Sequence, residues 1–230
     1  LFNCAQFQWM YEKNGLLWFF EPYGSVYTFH PDHTSPSKTN IIAKADCVRK
    51  YNNTIYYHIM GEGFAMIDSQ GHAFKLTSQS PITPYTLNFE VIQNNLIIQN
   101  ANQYDVYAIN SKKHSIRYQR KINFTEAFRD FQIIQTFSDG KFLYLYTGRY
   151  LVQLNVNNPK KPLEIRQQLY LGQWRNQGPA IQLNNQFVID RGNTVQTVMF
   201  EPISNPTFNV KYSYTNEPGN FFRPYLAVNT

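Results

Sequence analysis

Three carboxylates lie where they could form the acid pair of a hydrolase. Asp46, Glu90 and Asp130 each precede a turn in three successive stretches of the chain. Glycoside hydrolysis uses two such acids, one to protonate the leaving group and one to attack or to activate water. Their distances from the turns differ, at six, four and nine residues, so they do not share one depth. We therefore expect a non-catalytic protein, with a carbohydrate-active enzyme that uses these acids as the alternative.

His30, Asp32 and His33 look like metal ligands, with two imidazoles and a carboxylate within four residues. Zinc needs three or four ligands in fixed geometry, and the sequence has no second Cys/His cluster to complete the set. We expect a surface loop and no metal. Glycine-rich phosphate-binding motifs and the Gly-x-Ser-x-Gly nucleophile motif are also absent from the sequence, so we expect no cofactor.

Cysteines and sequons indicate the compartment. Cys4 and Cys47 are the only two cysteines, and both fall near the starts of predicted strands in adjacent units. We expect them to form a disulfide, with two buried thiols as the alternative. Asn52 and Asn123 head Asn-x-Thr sequons, which are candidates for glycosylation, although an Asn-rich chain also produces sequons by chance. Together these features favour an extracellular, cell-surface, periplasmic or lumenal location.

Composition excludes several classes of protein. The 230 residues are 43% hydrophobic and 17% aromatic, which is too apolar for a disordered chain. The richest apolar run ends at Glu21 and Pro22, so we expect no membrane span. The net charge of +6 comes from scattered residues, which predicts a solvated surface and no nucleic-acid partner.

A repeat decides the fold class. Two-residue turns of Asn, Asp and Gly recur at intervals of 38, 42, 45 and 45 residues. These residue types tolerate the positive φ that a tight hairpin requires. Polar residues at the ends of the predicted third strands recur at nearly the same intervals. The five turns are Asn14-Gly15, Asn52-Asn53, Asn94-Asn95, Asp139-Gly140 and Asn184-Asn185.

Each repeat is predicted to form four short strands. In the third unit, β-branched and aromatic runs cover 88–93, 96–99, 104–109 and 115–119, and in the fourth they cover 131–135, 141–146, 150–156 and 163–168. Serial four-stranded antiparallel units are typical of a β-propeller, whose blades are stable only when packed against their neighbours. We predict an all-β, five-bladed propeller in one domain. Its units are 4–43, 44–84, 85–124, 125–172 and 173–215.

One stretch carries a family resemblance. Residues 150–162 have an apolar third strand, the polar Asn155, and a loop of the form Asn-Pro-x-x-Pro that ends at Pro162. This pattern resembles the LVIVD-type propeller repeat, best over 139–168 and loosely over all five units. The resemblance implies a propeller of cell-surface or secreted type and brings no active-site residues with it.

The end of the sequence predicts an additional strand, 221–230, with Tyr225, Leu226, Ala227 and Val228 as its apolar part. It would close the ring beside the first blade or pair with another chain, because an open strand edge seeks a partner. We therefore expect an interaction or structural module of an extracellular or envelope assembly. Its expected partners are protein subunits, including copies of itself, or glycans that stack on exposed aromatics.

Overall fold

Short apolar runs between turn-forming residues build a molecule of β-strands, and the described part of the chain contains no α-helix. The computed structural model describes residues 9–21, 24–80, 82, 88–100, 103–123, 133–147, 149–156, 164–171, 180–183, 186–190, 194–200 and 213–215. The all-β prediction is confirmed.

The strands form five antiparallel sheets in chain order, each with four consecutive strands. Sheet 1 contains β1 (Trp9–Lys13), β2 (Leu16–Phe20), β3 (Ser25–Phe29) and β4 (Ser37–Ile42), and sheet 2 contains β5 (Ala45–Tyr51), β6 (Thr54–Ile59), β7 (Gly63–Ile67) and β8 (Ala73–Lys75). After β9 (Thr77–Ser78), sheet 3 contains β10 (Asn88–Ile92), β11 (Asn95–Asn100), β12 (Gln103–Asn110) and β13 (Ser115–Asn123). Sheet 4 contains β14 (Gln135–Ser138), β15 (Phe142–Tyr146), β16 (Tyr150–Asn155) and β17 (Glu164–Tyr170), and sheet 5 contains β18 (Ala180–Leu183), β19 (Gln186–Asp190), β20 (Thr194–Met199) and β21 (Ser213–Thr215).

Tight turns set the register between first and second strands. Asn14 and Gly15 have φ values of 55° and 73°, which matches the hairpin twist. In sheet 3 the turn lies one residue earlier than predicted: Gln93 and Asn94 have positive φ, and Asn95 already pairs with Ile92. The sequence did not predict this shift because glutamine rarely adopts the left-handed backbone conformation.

The first strand of sheet 4 also differs from the prediction. A strand was expected over 131–135, but β14 covers Gln135–Ser138 and pairs with β15 up to the Asp139-Gly140 turn. Thr136 and Phe137 are buried, whereas Ile134, which was expected inside the strand, is exposed. The hairpin register therefore places the end of the strand three residues closer to its turn.

Four apolar cores join the sheets in sequence order. One core joins sheets 1 and 2, the next joins sheets 2 and 3, another joins sheets 3 and 4, and the last joins sheets 4 and 5. Aromatic rings fill these spaces, for example Phe64 edge-on against Phe89 with ring centroids 5.1 Å apart. Among the described residues, each of these cores lies between two sheets that are neighbours in sequence, which is the packing of a repeat protein.

A short strand crosses from one sheet to the next. After β8, residues Thr77 and Ser78 form β9, which pairs in parallel with Ser115 and Ile116 at the outer edge of sheet 3. The backbone N–H of Thr77 also donates to the His114 carbonyl at 2.9 Å. Sheet 3 therefore has a fifth strand that belongs, by sequence, to the preceding unit.

Candidate functional site

The first strands of the five sheets are linked to one another in series. The Tyr11 hydroxyl of β1 donates to the Val48 carbonyl of β5 at 2.8 Å. Asn88 of β10 donates through its side-chain amide to Thr136 Oγ1 of β14 at 2.9 Å. The backbone N–H of Ala180 in β18 donates to the Gln135 side-chain oxygen of β14 at 3.2 Å. With the ion pair between β5 and β10 described below, these contacts bring all five first strands together.

These strands surround a cavity, which we call the central cavity. Its volume is about 690 Å³, and every sheet contributes to its wall. The lining consists of Tyr11 of sheet 1, residues 50–52 of sheet 2, Glu90 and Val91 of sheet 3, residues 138–140 at the start of sheet 4, and Gln182 of sheet 5. The wall is predominantly polar, with two tyrosines, two carboxylates, two amides, a serine hydroxyl and one lysine, so the central cavity is a candidate binding site.

A buried ion pair lies at the base of this wall. Arg49 Nε donates to Glu90 Oε1 at 2.7 Å, and the Glu90 side chain is only 7% exposed. The guanidinium also donates to the Val48 carbonyl and to Asn88 Oδ1. Burial raises the pKa of the Glu90 carboxyl, while the adjacent guanidinium opposes that rise. Because arginine keeps its proton, Glu90 acts as a hydrogen-bond acceptor that joins sheets 2 and 3.

Two tyrosines shape the opening of the central cavity. Burial raises the pKa of Tyr11 to about 12, so its hydroxyl remains a donor at neutral pH. Tyr51 lies against Gly140, whose φ is +82°, and a Cβ at that glycine would be 3.0 Å from Tyr51 Cε2. The close approach joins sheets 2 and 4 and favours glycine at position 140.

Asp46, the second predicted acid, does not line the central cavity and is paired within its own sheet. Its Oδ1 lies 2.7 Å from Nδ1 of His58, which is 1% exposed. The other ring nitrogen of His58 is buried and has no hydrogen-bond partner among the described residues. Asp46 and Glu90 are therefore held in two separate pairs, with His58 and with Arg49. Asp130 lies outside the described residues.

Cys47 is buried and forms no disulfide with any described residue, and burial raises the pKa of its thiol. Its S–H donates to Asn88 Oδ1 at 3.3 Å, in the same interface as the ion pair. Cys4 lies outside the described residues, so the disulfide stays a prediction.

The predicted glycosylation sites differ in position. Asn52 is exposed at a hairpin turn and lines the central cavity, whereas Asn123 ends β13. The predicted terminal strand, Tyr225, Leu226, Ala227 and Val228, lies outside the described residues. Glycosylation at Asn52 and Asn123 and pairing of the terminal strand therefore stay predictions.

The histidine loop is exposed, as expected. His30 Nδ1 lies 3.3 Å from an Asp32 carboxylate oxygen, and the His33 ring lies 5.4 Å from that of His30. Among the described residues, no three His, Cys, Asp or Glu side chains come together as metal ligands. Within the same residues, no helix is long and apolar enough to cross a membrane.

Sequence reasoning missed two cations at the sheet interfaces. Arg49 was not singled out, although an arginine inside an apolar first strand indicates a buried partner. Lys13 is also buried, with its Nζ 4.8 Å from the Trp18 ring centre and 3.5 Å from the Ser69 carbonyl. Burial lowers the pKa of Lys13, and the Asp68 carboxylate opposes that shift.

Solved structures resemble this arrangement of sheets. The β-propeller domain of Myceliophteria thermophila Cps50 (Swd1) aligns with a TM-score of 0.63 at 9% identity, covering 94% of this chain and 74% of that one. The fold is that of a β-propeller. A functionally unknown protein from Desulfotomaculum acetoxidans aligns with a TM-score of 0.61 at 13% identity, covering 88% of this chain and 67% of that one.

Hsv2 from Kluyvelomyces marxianus aligns over 92% of this chain and 73% of its own, with a TM-score of 0.54 at 7% identity. No family model matches the sequence, and no curated protein matches it either. At these low sequence identities, the similarity establishes the propeller fold but neither the repeat family nor a function. The resemblance to LVIVD-type repeats therefore stays a prediction.

Proposed function

We propose that the protein is a non-catalytic interaction module built as a five-bladed β-propeller. The observation that carries this proposal is the Arg49–Glu90 ion pair. The only carboxylate of a predicted acid that lines the central cavity, within the described residues, is held by a guanidinium at 2.7 Å. A glycosidase needs two acids free to exchange protons on either side of a bond. The other carboxylate in the described lining, Asp139, accepts from the backbone N–H groups of Lys141 and Phe142 and from the Tyr144 hydroxyl.

The ring is proposed to close between sheets 5 and 1. Four successive apolar cores already order the sheets, and Gln182 of sheet 5 faces the same cavity as Tyr11 of sheet 1. The terminal strand that contains Tyr225 would complete the closure beside sheet 1, with pairing to another chain as the alternative. Light scattering tests this point: a particle of about 27 kDa supports closure within one chain, and polymers support strand exchange.

We further propose that the protein acts outside the cytosol, as part of a surface, envelope or secreted assembly. The sequons at Asn52 and Asn123 and the cysteine pair support this location. Expression in a glycosylating host followed by intact mass measurement tests it. A mass equal to that of the unmodified chain, in a host that glycosylates a control protein, would count against the proposal.

Catalysis is tested by a screen against polysaccharides with purified wild-type protein, Glu90→Gln and Asp130→Asn. We expect no turnover by any of the three. Turnover by the wild type that either substitution abolishes would establish the enzyme and overturn the proposal.

A glycan-binding function is the second candidate, because the central cavity combines Tyr11 and Tyr51 with amide side chains. Aromatic faces stack on sugar rings, and amides bond to hydroxyls. A glycan array with wild type and Tyr51→Ala separates the two functions. Binding that the substitution removes, while the melting temperature is unchanged, supports the glycan binder.

A further inference from the structure

A second cavity, which we call the cationic groove, lies between β9 and the turn that joins β12 to β13. Its volume is about 740 Å³, and its rim carries Lys112, Lys113 and Arg117, all exposed. The floor is apolar where Ile109 and Ile116 lie. None of the described residues that line it is acidic or aromatic. The sequence predicted a solvated surface for its scattered charges, and it is the fold that brings β9 beside these three cations.

The two lysines are held in a fixed turn. Lys112 and Lys113 belong to a 3-10 turn, Ser111–Lys113, whose N-cap Asn110 accepts from the Lys113 N–H at 3.0 Å. The next residue, His114, has φ +46° and stacks on Phe74 of sheet 2 with ring centres 3.8 Å apart. The turn is thus fixed from two sheets, which reduces the entropy that a ligand must overcome to order the lysines.

An extended segment already occupies one end of this groove. β9 pairs with Ser115 and Ile116 only, and no described strand lies beyond Ile116 on the outer edge of β13. A peptide can therefore continue the line of β9 along Arg117 and Tyr118 by main-chain hydrogen bonds. The bulge that follows Tyr118 limits this pairing to the first residues of the free edge.

We propose that the cationic groove binds an extended, carboxylate-rich segment of a partner protein. The proposal rests on the interaction function and names its surface. Three cations without a neighbouring acid in the lining favour an acidic ligand by charge complementarity. The apolar floor and the edge of β13, along which no described strand pairs beyond β9, suit a peptide. Single-stranded nucleic acid instead relies on aromatic stacking platforms that the described lining lacks.

Fluorescence anisotropy tests the groove with a labelled peptide of alternating glutamate and valine. The comparison probes are the matched lysine–valine peptide and a labelled thymidine oligonucleotide. We expect the acidic peptide alone to bind. Its affinity should fall as salt rises from about 0.01 M to about 0.15 M, over which the screening length shrinks from about 30 Å to about 8 Å.

The variant Lys112→Glu/Lys113→Glu should lose at least about tenfold in affinity, which corresponds to roughly 1.4 kcal/mol. The control Lys38→Glu/Lys141→Glu makes the same charge change at exposed lysines outside the groove and should bind as the wild type does. Equal melting temperatures for both variants show that the loss is not unfolding.

Three results would overturn the proposal: no binding of the acidic peptide at low salt, equal losses in both variants, or tighter binding of the oligonucleotide. The last result would make the groove a nucleic-acid site instead. Polysaccharide turnover would overturn the interaction function but not a positive peptide result. If the protein shows no polysaccharide turnover and does not bind the acidic peptide, only the peptide-binding proposal for the cationic groove is overturned, and the interaction function still stands.

Discussion

Removing Arg49 should destabilise the protein strongly, because Glu90 would remain buried without its cation. Breaking one partner of a buried ion pair costs about 3–5 kcal/mol, and the Glu90 side chain is only 7% exposed. Arg49→Leu should therefore lose a large part of a total stability that is typically about 5–15 kcal/mol. Urea denaturation followed by tryptophan fluorescence measures the free energy of unfolding.

The double variant Arg49→Leu/Glu90→Leu should recover most of that loss, because replacing both charges by apolar groups removes the desolvation cost. Glu90→Gln provides a milder single variant that keeps a hydrogen-bond acceptor if Arg49→Leu does not fold. With Glu90→Leu as the second single variant, the double-mutant cycle gives the coupling free energy of the pair.

Lys50→Met is the matched control, because its partner Glu12 is exposed and lies across the neighbouring interface, 3.1 Å from Lys50 Nζ. Exposed pairs contribute little, so this loss should be far smaller than that of Arg49→Leu. Equal losses for Lys50→Met and Arg49→Leu, or a double variant no more stable than Arg49→Leu, would refute the reasoning.

Three further predictions concern single contacts. Gly140→Ala should cost roughly 1–2 kcal/mol, because φ is +82° and the new Cβ would meet Tyr51; a thermal melt no lower than wild type would contradict this. Asp46→Ala should cost roughly 1–3 kcal/mol in urea denaturation, since His58 would lose its partner, and an unchanged midpoint would show that the pair is unimportant. The pKa of Tyr11 is raised from 10.0 to about 12 in the folded protein. The protonated hydroxyl therefore contributes its full stabilisation of the folded state below pH 10, and this contribution is lost as the pH rises to about 12. The free energy of unfolding of Tyr11→Phe should fall less steeply in that window, and equal slopes would assign the effect to other tyrosines.

Much of the fold was predictable because hairpin turns obey local rules. Asn14-Gly15 and Asn52-Asn53 mark the hairpins of sheets 1 and 2 from residue type alone, and their spacing gave the repeat. The shift at Gln93 was not predictable, because pairing between β10 and β11 overrode the preference of glutamine. Local chemistry therefore located the sheets to within a few residues.

The candidate site was less predictable, because its contacts join distant positions. Glu90 was identified as an acid on a first strand, but its partner Arg49 lies 41 positions away and is brought to it only by packing of two sheets. The cationic groove likewise depends on β9 crossing to the edge of β13. Sequence spacing within one unit carries no information about such contacts between units.

The crossing of β9 means that the border between repeats in the sequence is not their border in space. A cut after Ser78 would deprive the downstream sheet of its outermost strand and leave the upstream fragment with two residues that have nothing to pair with, whereas a cut after Leu76 keeps β9 with its sheet. Duplication, excision or circular permutation of units should therefore transfer these two residues together with the unit that follows them.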